Sequence, residues 1–218
     1  MPSDWVTTLR QTAPRLLQTI RAGHPDFEMP DVRAVTKEFL DRQGIELVLW
    51  DVDGTLMAYH AKAVAPEFAA HLEELLADAS LTHVVLSNCG EDRFVELASI
   101  FPNWTLARAY STKAGPILRL RTGDKDTHSD EEVRDLLAAG GRVIRKPSPL
   151  PFQLLLSEMG DVDPSATLMV GDQHLTDVAG ANQAGVRSAK VVTYRPDSFP
   201  PILRVGQQIE RALVRIGG

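Results

Sequence analysis

Residues 46–57 read ELVLWDVDGTLM, an apolar run that ends in two acids. Leu47, Val48, Leu49 and Trp50 predict a buried strand. Asp51 and Asp53 follow at once, and Gly54 and Thr55 come next. Carboxylates placed at the mouth of a buried strand need a chemical reason, and the rest of the chain supplies it.

Downstream, strand and helix patterns alternate. Residues 66–79 start with Pro66 and set Phe68, Leu72, Leu75 and Leu76 on one face, which predicts a helix with proline in its first turn. HVVLSN at 83–88 predicts a second strand, and residues 91–100 return to helical spacing. The segment at 151–160 predicts another helix, TLMVGD at 167–172 a strand, and SAKVVTY at 188–194 a further strand. Upstream, residues 31–43 predict a short helix that Gly44 stops. Such alternation means βαβ units, and so an α/β, Rossmann-like three-layer sandwich with a central parallel sheet.

Composition narrows the function. The chain has 218 residues, 44% of them hydrophobic, enough to bury a real core. A formal net charge of -6 with no run of Lys or Arg argues against a nucleic-acid partner. The single cysteine, Cys89, excludes an internal disulfide and suits a reducing, cytoplasmic setting. There is no stretch of about 18 apolar residues to span a bilayer.

Three regions are expected: an N-terminal helical extension over residues 1–44, a main domain over 45–218, and an insertion within that domain at about 114–141. In the extension, Trp5, Val6, Leu9, Leu16, Leu17 and Ile20 recur near helical spacing with Arg10, Arg15 and Arg21 between them. This predicts an amphipathic helix bent at Pro14, packed on the domain or making peripheral contact with the inner face of a membrane. The insertion reads as a strand, a polar loop and a helix, with Ser129 and Glu132 at capping-box spacing.

In a parallel sheet the carboxyl ends of the strands share one edge, where ligands bind. The ends collected there are Asp51, then Ser87 and Asn88, then Arg145 and Lys146, then Asp172 with Asp177 five residues on. Singly each has a plain explanation: a turn, a helix cap, a loop lysine, a strand end. Together they put three carboxylates at one edge, where they repel unless a cation holds them, which implies a hard divalent ion such as Mg²⁺.

DVDGTL, LSN, KP and GDQHLTD, in that order, resemble the four motifs of the haloacid dehalogenase (HAD) superfamily of phosphohydrolases over roughly residues 45–194. The longer strings GDQHLTDVAGANQAG and PDVRAVTKEFLDRQGIELVLWD look most like the capless branch that includes phosphatidylglycerophosphate phosphatases. Two features depart from that branch. Gly54 stands where its members usually carry Asn, and Asn88 to Lys146 is 58 residues where some 25 are usual, which leaves Lys113 as a rival for the lysine. The excess sits where larger relatives place a substrate-selecting cap, so the insertion is expected to act as a lid, with Arg119, Arg121 and Lys125 facing an anionic ligand.

The resemblance implies roles. Asp51 becomes the nucleophile that forms an aspartyl phosphate, Asp53 the general acid and base, and Lys146 the cation paired with Asp51 and the transferring group. Ser87, Asn88, Gly54 and Thr55 surround the phosphate. Asp51, the backbone carbonyl of Asp53, Asp172 and Asp177 hold Mg²⁺. His174 reads as a loop residue facing the cleft. The implied substrate is a phosphorylated small molecule or a lipid head group such as that of phosphatidylglycerophosphate. The alternatives are a soluble sugar phosphate or nucleotide, and a catalytically silent binding module.

Overall fold

The computed structural model describes residues 16–217. The expected helix around Trp5, Val6, Leu9 and Arg10, with its bend at Pro14, lies outside them. The described chain runs α1 (Leu16–Ala22), β1 (Phe27–Met29), α2 (Lys37–Gln43), β2 (Leu47–Trp50), α3 (Pro66–Leu76), β3 (Thr82–Val85) and α4 (Glu91–Ile100). Then come β4 (Thr105–Thr112), β5 (Gly115–Thr122), β6 (Lys125–Asp126), α5 (Asp130–Ala138), β7 (Arg142–Ile144) and α6 (Leu150–Glu158). Last are β8 (Thr167–Gly171), a π-helical turn (His174–Val178), α7 (Ala179–Gln183), β9 (Arg187–Val191) and α8 (Pro201–Gly217).

All nine described strands form one sheet in the order β1-β9-β8-β2-β3-β4-β5-β6, with β7 added beside β4. From β1 to β4 every pairing is parallel; β5, β6 and β7 join antiparallel. β2 lies in the centre, and its unbroken apolar run serves two cores. Val48 and Trp50 enter the cluster under α3 and α4, whereas Leu47 and Leu49 enter the one under α6. β8 divides its side chains likewise, with Leu168 and Val170 on one face and Met169 on the other. A strand covered on both faces has no polar positions to alternate, hence the continuous hydrophobic string. The mixed α/β sandwich with a mostly parallel sheet is the fold expected.

Three local readings change. The helix expected over 31–43 divides into a 3₁₀ turn (Val32–Ala34) and α2, because Thr36 accepts a hydrogen bond from Phe39 N and starts a new helix. Gly44 ends α2 at φ 66°, as its sequence position implied. The extension over 1–44 is not purely helical, since β1 pairs with β9 and carries the sheet one strand further. β4 has no counterpart among the expected strands, although it is eight residues long.

β4 also alters the insertion. Its first residues pair with β3 (Val84↔Thr105, Val85↔Leu106), but it continues past the end of β3, and β7 fills the vacated row (Ala109↔Ile144, Tyr110↔Val143, Ser111↔Arg142). The expected strand ending at Lys146 is therefore antiparallel to its neighbour. It runs back toward β3 and meets it head on. β5 and β6 extend the same sheet, and α5 follows them. The capping box of α5 is formed as expected, with Glu132 N donating to Ser129 Oγ at 3.2 Å and Ser129 N to Glu132 Oε2 at 2.7 Å.

Candidate active site

Asp51 is the first residue beyond β2, and its backbone N–H continues the ladder to Val170 O at 2.9 Å. Its side chain is thereby aimed from the sheet edge into a buried cluster. The Lys146 ammonium, 1% exposed, donates to Asp51 Oδ1 at 2.9 Å and to Leu86 O at 2.5 Å, and pairs with Asp177 Oδ1 at 2.7 Å. Asp172 is buried beside them with Thr193 near its carboxylate, and neither of its oxygens makes a hydrogen bond of good geometry. One oxygen each from Asp51, Asp172 and Asp177 lie within 4.8 Å of one another.

Electrostatics follow from this packing. Burial pushes the Asp51 carboxyl up to about 7; Lys146 opposes the rise and Asp177 adds to it. Asp172 is raised well above the carboxylate range by burial and by the charges of Asp177 and Asp51. For Lys146 burial acts downward, but Asp177 and Asp51 outweigh it and hold the ammonium above its ordinary value. Three carboxylates facing one ammonium leave a deficit of positive charge. The poorly hydrogen-bonded oxygens of Asp172 are the donors a hard cation would take. The residues present fit a hard divalent cation such as Mg²⁺, which Asp51, Asp172 and Asp177 would hold.

The head-on meeting of β3 and β7 positions Lys146. Asn88 spends its side-chain amide on the lysine's backbone: Nδ2 donates to Lys146 O at 2.8 Å and Oδ1 accepts from Lys146 N at 2.9 Å. Arg145 donates to Asn88 O at 2.9 Å. Asn88, expected at the phosphate, is thus also the clamp on the lysine. Ser87, between Leu86 and Asn88, is half-buried in the same turn. Lys113, the rival, is exposed at the β4–β5 hairpin.

Asp53 has partners of its own. Its Oδ1 accepts from His60 N at 2.9 Å and from Arg93 Nη2 at 2.9 Å. Arg93 is 4% exposed and also pairs with Glu96 at 2.7 Å. Gly54, at φ 89°, bonds back to Met57 O at 2.7 Å. A Cβ there would come within 2.8 Å of Phe199 and 2.9 Å of Asp172, so only glycine lets the loop pass. Gly171 is equally constrained, since a Cβ would stand 2.4 Å from Asp177. Thr55 is buried with its hydroxyl unpartnered. His174 does not face the cleft: its Nδ1 lies 2.8 Å from Gly23 O, just past α1.

Sequence reasoning missed Arg93, Phe199 and Arg108, and it gave Arg119 and Arg121 the wrong partners. Arg108 and Arg119 stand opposite each other across β4 and β5, both buried. Arg108 donates to the carbonyls of Cys89 and Gly90 and pairs with Glu91 at 2.9 Å. Arg119 binds Asp126 and Asp130, each at 2.5 Å, and lies over the Phe94 ring. Arg119 and Arg121 are thus engaged with acids of the insertion itself, contrary to the expected ligand-facing role, while Lys125 is exposed on β6. A lone arginine in a strand carries no periodicity signal, so nothing in the string distinguished these from surface cations.

Residues 143–195 match the family model described as HAD-hydrolase-like. No curated protein matches the chain. Among solved structures, it is similar to an uncharacterized protein from Listeria monocytogenes serotype 4b, at 17% identity over 72% of this chain and 85% of that one, TM-score 0.39. It is similar to the Plasmodium falciparum IMP-nucleotidase at 8% identity, over 78% and 67%, TM-score 0.39. It is also similar to the 4-nitrophenylphosphatase of Thermotoga maritima at 17% identity, over 73% and 89%, TM-score 0.33.

Proposed function

We propose that this chain is a divalent-cation-dependent phosphohydrolase that cleaves phosphate monoesters through an aspartyl phosphate on Asp51. The observation that carries the reading is the buried set in which Lys146 bridges Asp51 and Asp177 beside the buried Asp172. The family match over 143–195 supports it, since that segment holds Lys146, Asp172 and Asp177.

Phosphate monoesters hydrolyse very slowly because their negative charge repels an anionic attacker. Lys146 orients Asp51 Oδ1 and lowers the charge an incoming phosphate meets. Mg²⁺, when bound by the three buried aspartates and the Asp53 carbonyl, would offset the remaining negative charge. Asp51 attacks phosphorus as the bond to the leaving oxygen breaks, and that oxygen takes the proton of Asp53. Asp53 then accepts a proton from water, whose oxygen attacks phosphorus and returns Asp51 as a free carboxylate. Ser87 and the backbone N–H groups after Asp53 surround the phosphoryl oxygens.

Within this class, the resemblance of the long last motif and of the stretch leading into the first favours a phospholipid head-group monoester such as phosphatidylglycerophosphate over a soluble phosphate. The test of the chemistry is Mg²⁺-dependent hydrolysis of 4-nitrophenyl phosphate, lost on chelation, with borohydride trapping of the phosphorylated carboxyl. A trapped label on any residue other than Asp51 overturns the assignment. A folded protein that hydrolyses no phosphate in a panel of lipid and soluble esters is the silent binding module instead.

A further inference from the structure

α8 presents three faces. One is buried against the body: Glu210 Oε1 accepts from Leu175 N at 2.8 Å, and Val214 is packed nearby. Ile202, Val205 and Ile209 fall within about 60° of one another on a helical projection, forming a second face. They are 61%, 53% and 54% exposed. Arg204, Arg211 and Arg215 form the third within about 40°, and all three are exposed. The only acid among the described side chains of α8 is Glu210, and it faces inward.

This arrangement is unusual for a chain of net charge -6. Three branched aliphatics in a row on one helix are more than scattered surface apolars, and the strip of cations lies about 130° round the helix from them, across Gln208 and Ala212. α1 packs on α8, exposes Leu17 and Leu16, carries Arg21 and holds no acid. A second copy of this face is a poor occupant, because two-fold pairing would bring arginine strips together. An apolar stripe with a cationic strip round the same helix matches a surface that is apolar beneath and anionic above.

We propose that the outer face of α8 docks in the plane of an anionic lipid surface. Ile202, Val205 and Ile209 enter the acyl boundary, and Arg204 and Arg215 meet the phosphates; Arg211 also donates to Thr193 Oγ1 at 3.2 Å and is partly committed. The inward face of the same helix holds the loop between Asp172 and Asp177 through Leu175. Docking would therefore set the candidate catalytic edge about one helix diameter, some 10–12 Å, from the head groups. The proposal stands without the phosphohydrolase reading, since binding is read with no substrate.

The experiment is co-sedimentation of the full-length protein with vesicles of phosphatidylcholine alone or containing about one third phosphatidylglycerol. Binding is expected only with the anionic vesicles and should weaken as salt is raised. The pair Arg204→Gln and Arg215→Gln should weaken it about 25-fold, about fivefold for each charge. Ile202→Ser, Val205→Ser and Ile209→Ser together should weaken it more than tenfold, with the thermal melt by circular dichroism verifying that the variants fold. Equal binding to neutral vesicles, or none to either, overturns the proposal. So does a folded triple serine variant that binds like the parent, or self-association in solution that those serines abolish.

Discussion

Arg93 Nη2 lies 2.9 Å from Asp53 Oδ1, so an arginine from the helix after the second motif holds an acid from the first. Both hydrogen bonds to Asp53, from Arg93 and from His60 N, fall on that one oxygen and fix the plane of the carboxyl. Arg93→Met should lower kcat on an aryl phosphate about 10- to 100-fold with KM little changed, because a misplaced group costs about that much. Arg93→Lys should recover part of the loss. An unchanged kcat in the methionine variant would show that Asp53 needs no such support.

Lys146→Met leaves Asp51 and Asp177 facing each other without their shared ammonium. Removing one member of a buried charged set costs about 3–5 kcal/mol. Urea denaturation in chelator should show a loss of that order, and saturating Mg²⁺ should recover much of it. Equal losses with and without the metal would separate the lysine from the cation site.

Glu210, buried beside the loop that carries Asp172 and Asp177, gives a further pH-dependent readout. Burial raises its carboxyl to about 7 against an ordinary 4.5. Between those values the folded state binds more protons than the unfolded, so this group's contribution falls as pH rises. His83, buried, and His174, half-buried, are pushed down by desolvation and act in the opposite sense below about 6.5. They are common to parent and variant. Glu210→Gln should therefore gain stability relative to the parent as pH rises from about 5 to 8, measured as the difference in Tm. A difference that stays constant with pH would place Glu210 outside the titrating set.

Gly171→Ala should inactivate by geometry alone, since its methyl would stand 2.4 Å from the Asp177 carboxyl. Either the strand end or Asp177 must move. The expected result is a much higher Mg²⁺ requirement for hydrolysis and a stability loss of about 1–3 kcal/mol. Normal metal titration would mean that Asp177 takes no part in cation binding.

The insertion should prove structural before it proves selective. Arg119→Met removes the partner of Asp126 and Asp130 from a fully buried position and should cost about 3 kcal/mol in chemical denaturation, at the low end because Asp130 is part exposed. Cutting residues 114–141 to a turn should lower the midpoint still further and reduce activity on all substrates alike. A shortened protein of parental stability with altered substrate ratios would restore the lid.

Much of this was legible in the string because it rests on local rules. The run Leu47–Trp50, Pro66 at a helix start, Gly44 after a helix and the Ser129–Glu132 box each act within a few residues, and each is found in the structure. The strand ends could be collected at one edge because parallel topology puts them there. β4 was not legible: TLARAYST carries a buried arginine whose partners, Glu91 and the Cys89 and Gly90 carbonyls, are set by tertiary packing. Strand direction is likewise absent from periodicity, so Lys146 was assigned to the right edge by a strand running the other way. Arg93 meets Asp53 across 40 residues, a separation that no window reads.

The head-on meeting of β3 and β7 bears on the order of assembly. Asp51 acquires its neighbour β3 through one ordinary crossover, but the lysine lies 95 residues beyond it and reaches it only after the chain has returned from β4 and β5. Closing that long path is entropically costly until the antiparallel pairs form. A chain emerging during synthesis therefore holds its candidate nucleophile well before it holds the ammonium. Pairing of the β4–β5 hairpin brings the lysine within reach, and β8 then adds Asp172 and Asp177 to complete the set.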